Sequence, residues 1–334
     1  MPELPFVSVV IPVLNGADRL PAALATLRTQ QYPADRFEIL VVDGGSADGS
    51  REIATAAGAR VVDNPKRRVA PARNVGFAAS RGDVVAFTDD DCTFPDEWIR
   101  AAVARLEDAS VGGVSGPTMI PAEETAFGRA VAVLFELAHH LAGSVHRERV
   151  DAAVDVDDLP GCNCFFRRDA LARVMPTDES LVTAEDVELC LRVRHLGFRL
   201  LLAPDVRLWH HKRQSPRSLF RQMRRYAIGR LQVGRVDREL LRPAHILAGS
   251  VIPAAVMLVV ALAVVSPRAL VLTLALGFGA LAFLAVVSAI RSRSIAVGIW
   301  VPAVILLVTV GWSIGFMQEL VSPHARQTRK GVIS

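Results

Sequence analysis

Charge is almost missing from one end of this 334-residue chain. Asp, Glu, Lys and Arg make up 22% of the whole, near the ~25% of a soluble domain. Nearly all of them fall before residue 240, and very few lie between 244 and 317. Such a distribution argues against one water-soluble domain and for a globular part of about 240 residues, long enough for a full core, followed by an apolar part. Cysteine is scarce too. Cys92, Cys162, Cys164 and Cys190 include one C-x-C but none of the C-x2-4-C pairs that mark zinc sites. Reduced thiols in a cytoplasmic compartment are expected. The opening "MPELPFVSVVIPVLNG" has acid and proline where a secretory signal has a basic stretch and then an apolar one, so no export is expected. Two nucleotide signatures are also absent. Without G-x-x-x-x-G-K-[ST], NTP hydrolysis is disfavoured. Without G-x-G-x-x-G after the first strand-like run, so is a nicotinamide cofactor.

What fills the apolar end is three stretches, 244–265, 269–290 and 295–317, each near the ~20 residues that cross a ~30 Å hydrocarbon core. "SPR" and "RSRS" separate them, connections short enough to make antiparallel hairpins. Arg235, Arg238 and Arg242 precede the first stretch, Arg291 and Arg293 fill the second loop, and Arg268 stands alone in the first. The bias of basic residues toward the cytoplasm predicts a multi-pass plasma-membrane protein with its N-terminal domain and second loop inside. The tail, 318–334, would then lie outside with Arg326, Arg329 and Lys330, against the same rule. No buried charge marks an ion path within the stretches, so transport is the weaker reading.

Before residue 240, apolar β-branched runs alternate with helical patterns. "FVSVVIPVL", "FEILVVDGG", "ARVVDNP" and "DVVAFTDDD" read as strands. Helices are expected over about 18–30, over "GSREIATAAG" with Asp48 or Ser46 as a cap, and over "APARNVGFAASRG" closed by Gly82. The alternation predicts an α/β fold: a mainly parallel sheet with helices on both faces, spanning 1–240. Ligands bind such sheets at the carboxyl ends of the strands, where Asn15, Asp43 and the triplet Asp89, Asp90 and Asp91 all fall.

Three adjacent aspartates repel one another unless a cation offsets them. In an extended segment Asp89 and Asp91 point the same way, which suits them as ligands for Mg²⁺ or Mn²⁺. Asp90 points the other way, toward a following turn or a sugar. Glu185 and Asp186 open a later helix. Acids belong in a first turn as caps, and a second acid beside a nucleotide site suits a general base; both readings stay open. His210, after the strand-like "FRLLLAP", is either structural or a third metal ligand. Residues 125–150 have helical periodicity too interrupted by charge to span, and are expected to lie at the membrane interface or to shape an acceptor cleft. His139 and His140 there read as surface residues.

"VSVVIPVLN", "VVDGGSADGS", "APARNVGFAASRGDVVAFTDDD", "GCNCFFRRDAL" and "TAEDVELCLRVRHLGFRLLLAPD" together resemble family 2 of the nucleotide-sugar glycosyltransferases, with the GT-A fold. The resemblance implies inverting transfer of a sugar from a nucleoside-diphosphate donor. It places Pro12 and Asn15 in the donor pocket, Asp43 at the nucleobase and Arg73 at the nucleotide. Asp89 and Asp91 become the D-x-D that holds metal and diphosphate, with Asp90 beside the donor. Asp186 becomes the base, with Glu185 next to it. Gln222, Arg225 and Tyr226 resemble the Q-x-x-R-W of membrane polysaccharide synthases, with Tyr for Trp. Their surroundings, about 212–242, carry Arg217, Arg221, Arg224 and Arg230, which suits a basic helix resting on anionic lipid. The expected partners are a nucleotide-sugar donor, a lipid-linked or glycan acceptor and membrane lipid, and no nucleic acid. A processive synthase and a non-catalytic nucleotide-sugar binder are the alternatives.

Overall fold

A computed structural model of the chain describes residues 3–142 and 150–321, with backbone alone for 137–142. It divides into two units. Residues 3–121, 150–179 and 185–211 form the first, and 122–142, 180–184 and 212–321 the second. Residues 122–142, 180–184 and 212–240, all inside the N-terminal 240 residues, thus join the apolar helices, a division that sequence order hides.

The first unit holds the strands β1 (Val7–Val13), β2 (Phe37–Asp43), β3 (Arg60–Asp63), β4 (Val84–Thr88), β5 (Cys92–Thr93), β6 (Val111–Ser115), β7 (Thr118–Met119), β8 (Val154–Asp155), β9 (Asn163–Arg167), β10 (Arg199–Leu202) and β11 (Leu208–His210). Its helices are α1 (Leu20–Arg28), α2 (Ser50–Ala56), α3 (Val69–Ala79) and α4 (Trp98–Arg105). After α5 (Ala126–Ala142) of the second unit come α6 (Arg168–Val174) and α7 (Glu185–His195). The main sheet runs β3-β2-β1-β4-β9-β6-β10-β8, and β5-β11-β7 form a small second sheet. The continuous apolar run of β1 follows from burial on both faces. Val9 and Ile11 enter one core with Leu20, Leu24, Leu27 and Trp98. Val10 enters the other with Val42, Phe87, Leu171 and Leu189.

The sheet is mainly parallel, but β9 lies antiparallel between β4 and β6. Its register sets Asn163 opposite Thr88, which brings "GCNC" to the strand end that carries the aspartate triplet. Two local expectations are corrected. Helix α2 starts at Gly49 with no side-chain cap. Asp48 instead accepts from the N–H groups of Ala17 and Ser50 (3.0 and 3.1 Å), and Ser46 accepts from Asn15 N–H. Both acceptors stitch the end of β1 to the loop after β2. Helix α3 is closed by Ser80, not Gly82. A Cβ at Gly82 would lie 2.5 Å from Ser8 N and 2.6 Å from the Val84 carbonyl oxygen, so glycine there permits close strand approach.

The second unit contains α5, α8 (Pro216–Val236), α9 (Pro243–Val265), α10 (Pro267–Ser292) and α11 (Ile295–Val321). Helices α9, α10 and α11 are long and apolar enough to cross a membrane. The middle of α9 and the first half of α10 are exposed all round, as lipid-facing helices are. Helix α11 differs: Val297, Val301 and Val304 pack with Phe127 and Val131 of α5 and Leu219 and Met223 of α8, and Phe316 packs with Ala227 and Leu231 of α8. The helix expected within 125–150 is α5. Residues 143–149, the side chains of His139 and His140, and the basic tail from 322 lie outside the described residues.

Candidate active site

The carboxyl ends of β1, β2 and β4 meet along one edge. Pro12, half-buried, pairs in register with Val42, one residue before Asp43. Asn15 adopts a left-handed backbone (φ 52°), and its Oδ1 accepts from Ala47 N–H at 2.9 Å. Asp43 is 1% exposed. Its carboxylate accepts from the N–H groups of Gly45 and Ser46 and pairs with Arg51 at 3.0 Å. Burial would raise this carboxyl, but Ser46, Arg51 and Gly45 outweigh burial and hold it below the usual range.

Asp89, Asp91 and His210 converge. One ligand atom from each lies within 4.8 Å of the others, and His210 Nε2 stands 3.1 Å from Asp91 Oδ1. The β5–β11 pairing causes this by setting His210 opposite Cys92, the residue after Asp91. Burial pushes the Asp89 carboxyl up to about 7, with Cys162 and Asp91 adding to it and His210 and Arg73 opposing. Burial would lower His210, but Cys162 and Asp91 together raise it above its usual value. Two carboxylates and an imidazole at this spacing fit a divalent cation such as Mg²⁺ or Mn²⁺. His210 also lies within the same span of Cys92 and Cys162. Asp90 and Asp91 stand in a turn between β4 and β5, not in the extended run expected from the sequence; Asp90 makes its own pairing. It pairs with Arg19 (Nη2–Oδ2 2.9 Å, Nε–Oδ1 3.3 Å), and any side chain at Gly16 would strike its carboxylate.

The two adjacent acids of α7 have separate surroundings. Glu185 forms a buried ion pair with Arg73 of α3 at 2.9 Å, with side chains 9% and 5% exposed. Arg73 also donates to the Gly161 carbonyl (3.0 Å) and lies over the Phe87 ring. Burial opposes the charge on Arg73, but Glu185, Asp186 and Asp89 sustain it. The guanidinium expected at the nucleotide is therefore committed, at two of its nitrogens, to protein partners. Asp186 is half-buried. Its Oδ2 accepts from Gly161 N–H (3.1 Å) and its Oδ1 from Val187 N–H (2.9 Å), so it caps the first turn of α7 while facing the "GCNC" loop. Gln222, Arg225 and Tyr226 sit on α8 of the second unit. There Gln222 Nε2 donates to Tyr226 Oη (3.2 Å) and Arg225 Nη2 to the Val182 carbonyl (3.2 Å).

Some residues that build this edge gave little signal in the sequence. Asn163 is fully buried; its amide donates to the carbonyls of Gly116 and Val206 (3.1 and 2.8 Å) and accepts from Trp98 Nε1 (3.0 Å). A polar residue at the head of a buried strand was its only trace. Gly161 is another: a Cβ there would collide with the Arg73 guanidinium and sit 2.8 Å from Asp186 Oδ2.

The family model "Glycosyl transferase family 2" matches residues 8–175. The chain belongs to glycosyl transferase family 2. Among its relatives is Glycosyltransferase AglE of Haloferax volcanii, 31% identical over 73% of this chain and 79% of that one. Succinoglycan biosynthesis protein ExoA of Rhizobium meliloti is 28% identical over 95% of this chain and 96% of its own. In fold, the mannosyltransferase PcManGT of Pyrobaculum calidifontis superposes with a TM-score of 0.68 at 20% identity, over 96% of this chain and 88% of that one. This family 2 member is a glycosyltransferase of GT-A fold followed by apolar helices, as its motifs led one to expect.

Proposed function

We propose that this glycosyltransferase moves a sugar, with inversion, from a nucleoside-diphosphate donor to a hydroxyl of a lipid-linked or membrane-proximal glycan. The observation that carries the reading is the separation of carboxylates by role. Asp89 and Asp91 converge with His210, Glu185 is locked to Arg73, and Asp186 is left half-exposed beside Gly161.

Asp186 Oδ2 takes the proton of the acceptor hydroxyl as that oxygen bonds the anomeric carbon and the bond from that carbon to the diphosphate oxygen breaks. A single displacement inverts the centre and needs no nucleophilic carboxylate. Asp89, Asp91 and His210 would hold a Mg²⁺ or Mn²⁺, which when bound supplies positive charge for the leaving diphosphate. Asp43, Asn15 and Pro12 form the nucleoside end of the donor site. The related PcManGT was solved with GDP-Man and Mn²⁺, which supports this donor class. ExoA is named for succinoglycan biosynthesis, which supports a glycan product at a membrane. The apolar helices and the basic α8 support an acceptor drawn from lipid, with the first unit on the cytoplasmic side of the plasma membrane.

A thermal-shift screen of UDP-, GDP- and dTDP-sugars tests the site. At least one is expected to raise Tm with Mn²⁺, to lose that effect in EDTA, and to lose it in Asp91→Ala. A donor shift that is unchanged by EDTA and by Asp91→Ala would refute the metal assignment. Product length, one sugar or many, decides between single transfer and a processive synthase.

A further inference from the structure

Three apolar helices joined by short loops read as three crossings, in which α9 and α11 start from one membrane face and end on the other. The contacts within the second unit differ. Trp312 Nε1 of α11 donates to the His245 carbonyl of α9, and Ser313 Oγ to the Ala248 carbonyl, both at 3.1 Å. The His245 and Trp312 rings stack with centroids 5.7 Å apart, and a Cβ at Gly249 would lie 2.4 Å from the Phe316 ring. The first turns of α9 therefore lie against the later turns of α11. The start of α11 is placed by the end of α10, since a Cβ at Gly298 would come 2.6 Å from the Ala285 carbonyl oxygen. From Gly298 to Trp312 the helix rises ~21 Å at ~1.5 Å per residue. In a third crossing that rise would carry Trp312 most of the way through a ~30 Å core, away from the face where α9 starts. Trp312 instead meets that start.

Contacts with α8 place the later turns of α11 independently. Helix α8 carries Arg217, Arg221, Arg224, Arg225, Arg230 and Arg235, too many charges to enter hydrocarbon. A Cβ at Gly315 would lie 2.1 Å from the Arg224 carbonyl oxygen, and one at Gly311 3.0 Å from that of Phe220, so the two backbones touch where glycine permits it. Arg224 Nε donates to Gln318 Oε1 at 2.9 Å. Arg235 pairs with the fully buried Glu319 and donates to its carbonyl at 2.7 Å. Carrying 311–319 across the bilayer would take this arginine-rich helix along. We infer that the chain crosses an even number of times: α9 and α10 form a spanning hairpin, and α11 lies along the face from which α9 starts. Its two sides suit that placement. Val301, Val304, Gly311 and Gly315 are buried against protein. Ile299, Leu306, Ile314 and Met317 are exposed and fall on the opposite side at ~100° per residue. That apolar stripe enters the boundary of headgroups and acyl chains, as interfacial helices do. Helix α11 is apolar all round because α5 and α8 take one side and lipid the other.

The tail, with Arg326, Arg329 and Lys330, then shares the face of α8, and the violation of the basic-residue rule disappears. Only the turn between α9 and α10, with Arg268 alone, reaches the other face. Thiol labelling of the full-length chain in cells tests this. Added thiols are a cysteine-bearing tag at the N-terminus, the same tag at the C-terminus, or Arg268→Cys at an exposed position. The four native thiols are buried, so a membrane-impermeant maleimide reads the added one. Among the described residues no helix before α9 is long and apolar enough to cross, so the N-terminal tag marks the face where α9 starts. Both end tags should give one reading and Arg268→Cys the opposite one. With the first unit cytoplasmic, Arg268→Cys is labelled in intact cells and each end only after permeabilisation. Opposite readings at the two ends, or one reading at all three sites, overturn the inference. Both ends labelled in intact cells, with Arg268→Cys silent until permeabilisation, would uphold the hairpin and refute the cytoplasmic side proposed above. If Arg268→Cys is not produced, the two end tags decide alone.

Discussion

Arg73 decides whether the ion pair with Glu185 is architecture or donor contact. Arg73→Met takes the guanidinium away from the Glu185 carboxylate, which is 9% exposed. Breaking a buried pair from one side costs ~3–5 kcal/mol. For a unit of this size each kcal/mol lowers Tm by ~2–4 °C, so a fall of ~6–20 °C is expected. Glu185→Leu added to Arg73→Met removes the carboxylate as well and should recover most of that fall, because replacing both members of a buried pair by apolar groups is near neutral. Melting in detergent, with donor affinity measured in parallel, reads both effects. A melting point within ~2 °C of wild type in Arg73→Met, less than 1 kcal/mol by the same conversion, together with weakened donor binding, would refute the architectural assignment.

Two further outcomes follow from the geometry. Gly161→Ala places a methyl 2.8 Å from Asp186 Oδ2 and onto the Arg73 guanidinium; transfer should fall ~100-fold with donor affinity kept, and a rate within threefold of wild type would contradict the site. Asp43 has its pKa lowered in the folded state, so its contribution is present above the unfolded value of ~3.9 and is lost as pH falls through the lower folded value. Asp43→Asn should therefore flatten the acid limb of a Tm-against-pH curve below about pH 4, and an unaltered limb would contradict the bonding described for Asp43.

The edge that carries the site was legible because three apolar runs each ended in a polar residue, and a parallel sheet gathers such ends by topology alone. The separate surroundings of Asp89, Asp90 and Asp91 come from a turn between β4 and β5 and not from the strand alternation expected of them, and Arg19 is what Asp90 meets. Strand order was not. The antiparallel insertion of β9 between β4 and β6 pairs segments far apart in the chain, which periodicity does not record. The pairing of Arg73 with Glu185 joins residues over a hundred positions apart, and adjacent acids look alike until burial separates them. Hydropathy marked α11 as long and apolar enough to span, and composition does not record that its Gly311, Gly315 and Phe316 abut α8.

The central claim is that Asp186 removes the acceptor proton. The most direct measurement is the initial rate of sugar transfer by Asp186→Asn, with donor affinity determined on the same preparation. The account predicts wild-type donor affinity and a transfer rate lower by ~10²–10⁴-fold. Transfer within a few-fold of wild type would contradict it.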